Sequence, residues 1–498
     1  MSGVSNSAIS RVTGIEVIAK NFNQGKASML PQRLVIIGQG NDDVLYSLDK
    51  WECDGSAESV ATRYGNGSPL HLAAKQLFPT SGAAATFPVT ILPVKIGDSG
   101  FVAAKGFILV TGTATKAGEF KLYIGGKEVV VAVAKQAEAA TVMSDIVTAV
   151  NAVSDRCVNA SMTEATNEDS VQVQLLSRWS GALGNRIGLT LTGDIPGLTF
   201  TLTAFADGVG IPNIETALTK VGEVWETFFL DTFDYKNSDG SASSLLDVYQ
   251  VFGEGRWSVL GKKGCLVAHG CIDDYATRTA ITDNRPSDKI NFLITSVGAN
   301  ELPFAIGARG LLEILTTADS NPALDYKGTL TGLKRGDDSV QEDYTTRNQS
   351  VLKGASTNIP NGSVAELNDI VTFYHASGDG KFPVWRYVCK AVKIMNIVFN
   401  LRLICESNEV KAAALITDDD ETENPSAVQP KMFKTWFANL AKTLGKSAII
   451  SDVKFTIKNI KVEIDSENPD RINYIFPAKV SGNVEVISGQ AYIGQYTA

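Results

Sequence analysis

Five short and almost continuously apolar runs constrain this chain most: "RLVIIG" (33–38), "FPVTILPV" (87–94), "ETFFLDTF" (226–233), "GCLVAHG" (264–270) and "KINFLITSV" (289–297). A strand wetted on one face alternates apolar with polar residues. A strand without that alternation must be covered on both faces, as in a parallel sheet sandwiched by helices. Helical patterns fall in the gaps at "PLHLAAKQLF" (69–78), "ASSLLDVYQVFGEGRW" (242–257), "DDYATRTAI" (273–281) and "LPFAIGARGLLEILTTA" (302–318). The alternation predicts an α/β fold with a mainly parallel-sheet core.

At 498 residues the chain is too long for one ordinary core, so several domains are expected. Residues 95–206 break the core rhythm with Gly-, Ala-, Thr- and Val-rich strands around one helix, "AATVMSDIVTAVNAV". They predict an inserted, outward-facing α+β domain, leaving 26–94 and 207–370 as the core. From 371 a C-terminal α+β domain is expected: a helix near 383–405, the acidic loop "TDDDETENPS", the helix "PKMFKTWFANLAKTLGK", and strands in "DVKFTIKNIKVEID" and "DRINYIFPAKV". In the second helix Phe433, Trp436, Phe437, Leu440 and Leu444 recur at i, i+3, i+4 and i+7, which defines one buried stripe.

Apolar content of 44% and charged content of 20% suit a globular protein, and a net charge of −9 argues against general nucleic-acid binding. "MSGVSNSAIS" has no basic-then-apolar pattern, so no secretory signal is expected. The most apolar long run, 384–405, carries Arg386, Lys390, Lys393 and Arg402 and is too charged to insert in a membrane. Six irregularly spaced cysteines fit reduced thiols.

No catalytic constellation emerges. "VIIGQGNDD" (35–43) has G-x-G after a strand, but position 43 is Asp where a dinucleotide fingerprint needs the third glycine. Cys265, His269 and Cys271 lack a second ligand pair for zinc, and they lie on a strand that reads as core. Only three histidines are present, at 71, 269 and 375. The run Asp418–Glu421 reads as a solvated loop rather than a cation site. A non-enzymatic chain without cofactor or metal is expected, and a cytosolic nucleotide-binding enzyme using the 38–43 turn is the rival from another class.

Two features point to assembly. Between 431 and 461 the chain carries Lys431, Lys434, Lys442, Lys446, Lys454, Lys458 and Lys461 against Asp452 alone, a basic face suited to an acidic protein partner. Both ends are strand-prone: "AISRVTGIEVIAKNF" (8–22), with Ile15, Val17 and Ile18, and "GNVEVISGQAYIGQYTA" (482–498), with Val484, Val486 and Ile493. A strand at a chain end frays unless an open sheet edge receives it.

Several segments occur together in an order that resembles the contractile tail sheath proteins of Mu-like phages. They are "PQRLVIIGQG", "GFILVTGTATKAGEFKLYIGGKEVVVAV", "LLSRWSGALGNRIGL", "GEGRW", "NPALDYKGTLTGL", "TTRNQSVLKGAST", "KMFKTWFANLAKTLGK" and "IDSENPDRINYIFPAKV". The resemblance implies a homo-oligomer of stacked rings in the virion tail, assembled in the host cytoplasm. It implies partners in the tail tube, baseplate and tail terminator proteins, without nucleic acid or membrane insertion. Contraction would drive the tube through the host envelope; a phage-tail-like bacteriocin sheath would satisfy the same sequence. It further implies linking arms at 1–25 and 482–498 that exchange strands between subunits, and a tube-proximal C-terminal domain (371–498) whose helix presents Lys431, Lys434, Lys442 and Lys446.

Overall fold

The computed structural model describes residues 28–95, 100–164, 171–380, 383–485, 487–491 and 493. The chain divides into two compact units, Met29–Asn396 with Val480–Ala498, and Met1–Ser28 with Ile397–Lys479.

In the larger unit the five apolar runs form strands Leu34–Gly38, Val89–Pro93, Phe228–Asp231, Leu266–Cys271 and Asn291–Thr295. They pair in parallel, in the spatial order 291–295, 266–271, 228–231, 34–38, 89–93. The short Trp51–Glu52 strand closes one edge antiparallel. Every residue of the five parallel strands is buried, which is why none alternates. Val35, Ile37, Phe229 and Val267 pack against Leu245 and Tyr249 of helix Leu245–Trp257 and Leu218 of helix Glu215–Thr219. Helix Pro303–Ser320 approaches the sheet so closely that a Cβ at Gly270 would lie 1.6 Å from the Pro303 carbonyl oxygen.

Residues 103–206 build two antiparallel sheets of their own. One has the order Leu198–Ala206, Ala103–Gly112, Val171–Ser180, Val158–Glu164. The other joins the hairpin Gly118–Ile124/Lys127–Val133 to Leu189–Thr192. Helix Ala139–Ala152 buries Val142, Met143, Ile146 and Val150. The strict burial alternation of Ala103–Val110 is the counterpart of the core strands' uniform burial.

Residues 371–396 group with this larger unit. The Phe373 amide donates to the Asn291 carbonyl at 3.0 Å, at the edge of the parallel sheet, and the Phe373 ring is fully buried.

In the smaller unit, helix Pro430–Lys446 buries Phe433, Trp436, Phe437, Leu440 and Leu444 as its spacing predicts. Phe437 stacks 4.8 Å from Tyr474 on the antiparallel pair Lys461–Ile464/Ile472–Ile475. One expectation is corrected. Residues Val453–Asn459, read as strand from "DVKFTIKNIKVEID", are a helix. Asp452 sits in the left-handed region at φ 50° and its carboxylate accepts from the Phe455 amide at 3.3 Å, so a local cap overrides the β-branched pattern. The strand begins only at Lys461.

Candidate assembly surfaces

After strand Leu34–Gly38, the amides that would cradle a phosphate are committed elsewhere: Gly40 to the Tyr46 hydroxyl at 3.1 Å, Asn41 to the Tyr64 carbonyl at 2.9 Å, and Asp42 to the Arg178 carbonyl at 3.0 Å. A Cβ at Gly38 would meet Thr232 Oγ1 at 2.3 Å, and one at Gly40 would meet Tyr46 at 2.5 Å. These glycines serve close packing rather than phosphate binding. The turn instead receives the inserted region: Gln39 Nε2 donates to the Ser180 carbonyl at 2.9 Å, and Ser180 Oγ to Asp42 at 2.6 Å.

His269 is fully buried, with Nδ1 3.0 Å from Asp231 Oδ2 and Nε2 3.0 Å from Asn291 Oδ1, linking three neighbouring strands. The Tyr249 hydroxyl donates to Asp231 Oδ1 at 3.0 Å. Burial pushes the thiols of Cys265 and Cys271 up to about 12, which removes them as nucleophiles near neutral pH. His71 accepts from the Gly67 amide at 2.9 Å, and burial depresses it to about 4. Among the described residues no three His, Cys, Asp or Glu side chains are placed to hold a metal, and no helix is long and apolar enough to cross a membrane.

Arg186 fixes the inserted region to the core. Its guanidinium lies 2.8 Å from Asp234 and 2.6 Å from Asp273, and Lys236 lies 3.2 Å from Asp273. Burial raises Asp234 to about 6. Burial also pushes Asp273 upward, but Arg186 and Lys236 prevail and hold it below its usual value. A cavity of about 240 Å³ opens between the Gly125–Gly126 turn and helix Pro303–Ser320, lined by Lys75, Asp155 and Glu301 among others.

On helix Pro430–Lys446 the residues Lys431, Lys434, Lys442 and Lys446 are all exposed, opposite the aromatic stripe. They are not equivalent. Lys431 Nζ donates to the Asp418 carbonyl at 2.7 Å, while the Asp418 carboxylate accepts from the Lys431 amide at 2.8 Å. Part of the acidic loop thus caps the helix N-terminus, where negative charge is favoured. Sequence spacing gave no sign of that contact. Lys434, Lys442 and Lys446 make no ion pair among the described residues, and Lys454 and Lys458 of helix Val453–Asn459 are also exposed.

Ile15, Val17, Ile18 and Val486 lie outside the described residues. The described part of the C-terminal tail carries no strand, and Val484, Ile487 and Ile493 are 76%, 88% and 95% exposed. Strand-prone apolar side chains therefore stand without cover in the lone chain. At the other end, Ser28 is held at both its backbone groups: its amide donates to Asn400 Oδ1 at 2.6 Å and its carbonyl accepts from Asn400 Nδ2 at 2.8 Å.

No family model matches the chain. The Mu-like prophage FluMu tail sheath protein of Haemophilus influenzae is 24% identical to it over 424 residues, covering 83% of each chain. This chain is similar to a Mu-like phage tail sheath protein. Sheath tail proteins of known structure also align along most of its length. That of Listeria innocua covers 92% of this chain and 93% of its own at 10% identity and a TM-score of 0.47. That of Desulfitobacterium hafniense covers 94% and 100% at 12% identity and a TM-score of 0.43.

Proposed function

We propose that this chain is the structural subunit of a contractile phage tail sheath. The observation that carries the reading is the likeness to a tail sheath protein over 424 residues, 83% of both chains. The exposed tail and the lysine-bearing helix are the features such a subunit would use.

In this reading the subunits stack in rings, and the segments at 1–25 and 482–498 link neighbours by adding strands to open sheet edges. Each such hydrogen bond contributes about 0.5–1.5 kcal/mol, so one arm is a modest tie and a lattice of arms a strong one. The C-terminal region faces the tail tube through Lys434, Lys442 and Lys446, and the 95–206 insertion faces outward. Baseplate and terminator proteins cap the two ends. Assembly takes place in the host cytoplasm, and contraction drives the tube through the envelope.

Sedimentation of the purified full-length chain tests this. Large polymers are expected, and removal of residues 484–498 should convert them to small, folded species. A wild-type chain that stays monomeric across concentration and salt contradicts the proposal.

A further inference from the structure

Lys393 is an anomaly in the larger unit. It lies in helix Val388–Cys405, its side chain is fully buried, and it forms no ion pair among the described residues. Its ammonium has three donors, and neutral groups of the tail root accept from it. They are the Ser481 carbonyl at 3.1 Å, Ser481 Oγ at 3.1 Å and Asn483 Oδ1 at 2.8 Å. Asn483 is gripped from its other side as well, its Nδ2 donating to the Ala323 carbonyl at 3.0 Å. Burial holds the Lys393 ammonium below its usual value, so the charged form is kept at a cost.

A buried ammonium bonded only to neutral acceptors is a poor device for stabilising a core, because an apolar side chain of like volume would avoid the desolvation. What it supplies is direction. All three of its bonds go to Ser481 and Asn483, and the exposed apolar stretch starts at Val484, the next residue. We propose that Lys393 is the anchor of the C-terminal arm: it fixes where the arm leaves its subunit, and so which neighbouring copy the arm can reach. This deepens the sheath reading and rests on it. Arm exchange supplies the link, and Lys393 carries load from the link into the helix. Pre-setting the exit lowers the ordering cost of docking the arm on a second copy.

Lys393→Met keeps the stem and removes the charge. A lysine needed only for core stability predicts a lower Tm and an unchanged tail. The anchor predicts a Tm equal to or above wild type, amide exchange at 483–485 faster by about tenfold in the monomer, and polymers that are lost or shortened. Asn483→Ala, which leaves the helix intact, should reproduce the faster exchange and the assembly defect, and it decides the matter if Lys393→Met fails to fold. Deleting 484–498 from Lys393→Met should worsen assembly no further than the deletion alone. Normal polymers and an unchanged exchange rate in Asn483→Ala overturn the proposal. The exchange experiment reads the anchor on monomer, so it stands even where wild type forms no polymer, an outcome that strikes the sheath reading alone.

Discussion

The Arg186 guanidinium lies 2.6 Å from the Asp273 carboxylate, with Asp234 2.8 Å away on its other side. One cation of the inserted region thus separates two largely buried acids that follow core strands. Removing it leaves the two acids in a poorly solvated place with only Lys236, 3.2 Å from Asp273, to offset them.

Arg186→Ala is therefore expected to cost about 3–5 kcal/mol, the usual range for breaking a buried pair from one side. Thermal unfolding reads the loss, and limited proteolysis between residues 182 and 210 should show the insertion loosening. Arg186→Lys should recover part of the stability. Wild-type stability in the alanine variant contradicts the assignment.

Glu301 gives a pH dependence of definite sign. It is 8% exposed beneath the Gly126 turn, its Oε1 accepts from the Lys334 amide at 3.0 Å, and burial raises it to about 6 from 4.5. The folded state then binds the proton more tightly than the unfolded state, so this group lowers stability as pH rises from 4.5 through 6. Glu301→Gln keeps the acceptor and drops the charge. It should stabilise the protein by about 2 kcal/mol at pH 7.5, with the gain fading near pH 4.5. A gain that is larger in acid would refute the sign.

Charge reversal tests the basic helix. Lys431 is best left in place, because its ammonium holds the Asp418 loop. Lys434, Lys442 and Lys446 are exposed, and exposed pairs contribute only about 0–1 kcal/mol each and weaken with salt. Changing all three to glutamate should leave monomer unfolding nearly unchanged and weaken assembly around the tube. Extended tails identical to wild type at raised salt would show that this helix does not face the tube.

The uniform apolar runs made the parallel strands legible, because total burial on both faces leaves little choice of residue; Leu34–Gly38 and Asn291–Thr295 are examples. Helix Pro430–Lys446 was equally plain from its aromatic spacing. Strand Val158–Glu164 was not, since only Val158 and Ala160 are buried and the rest is polar apart from an exposed Met162. Helix Val453–Asn459 imitates a strand in composition, and a single cap at Asp452 decides it. The least legible feature is Lys393. In the sequence it only interrupts an apolar run, and its partners lie 88 and 90 residues further on, a separation that no local pattern reports.

Electron microscopy of the purified chain in negative stain separates a polymerising sheath subunit from a protein that stays monomeric. The sheath reading predicts hollow tubes with a regular axial repeat for the wild-type chain, and short or absent tubes once residues 484–498 are removed from an otherwise folded protein. A field of single particles from the wild-type chain at every concentration and ionic strength, or tubes of full length from the truncated one, would contradict it.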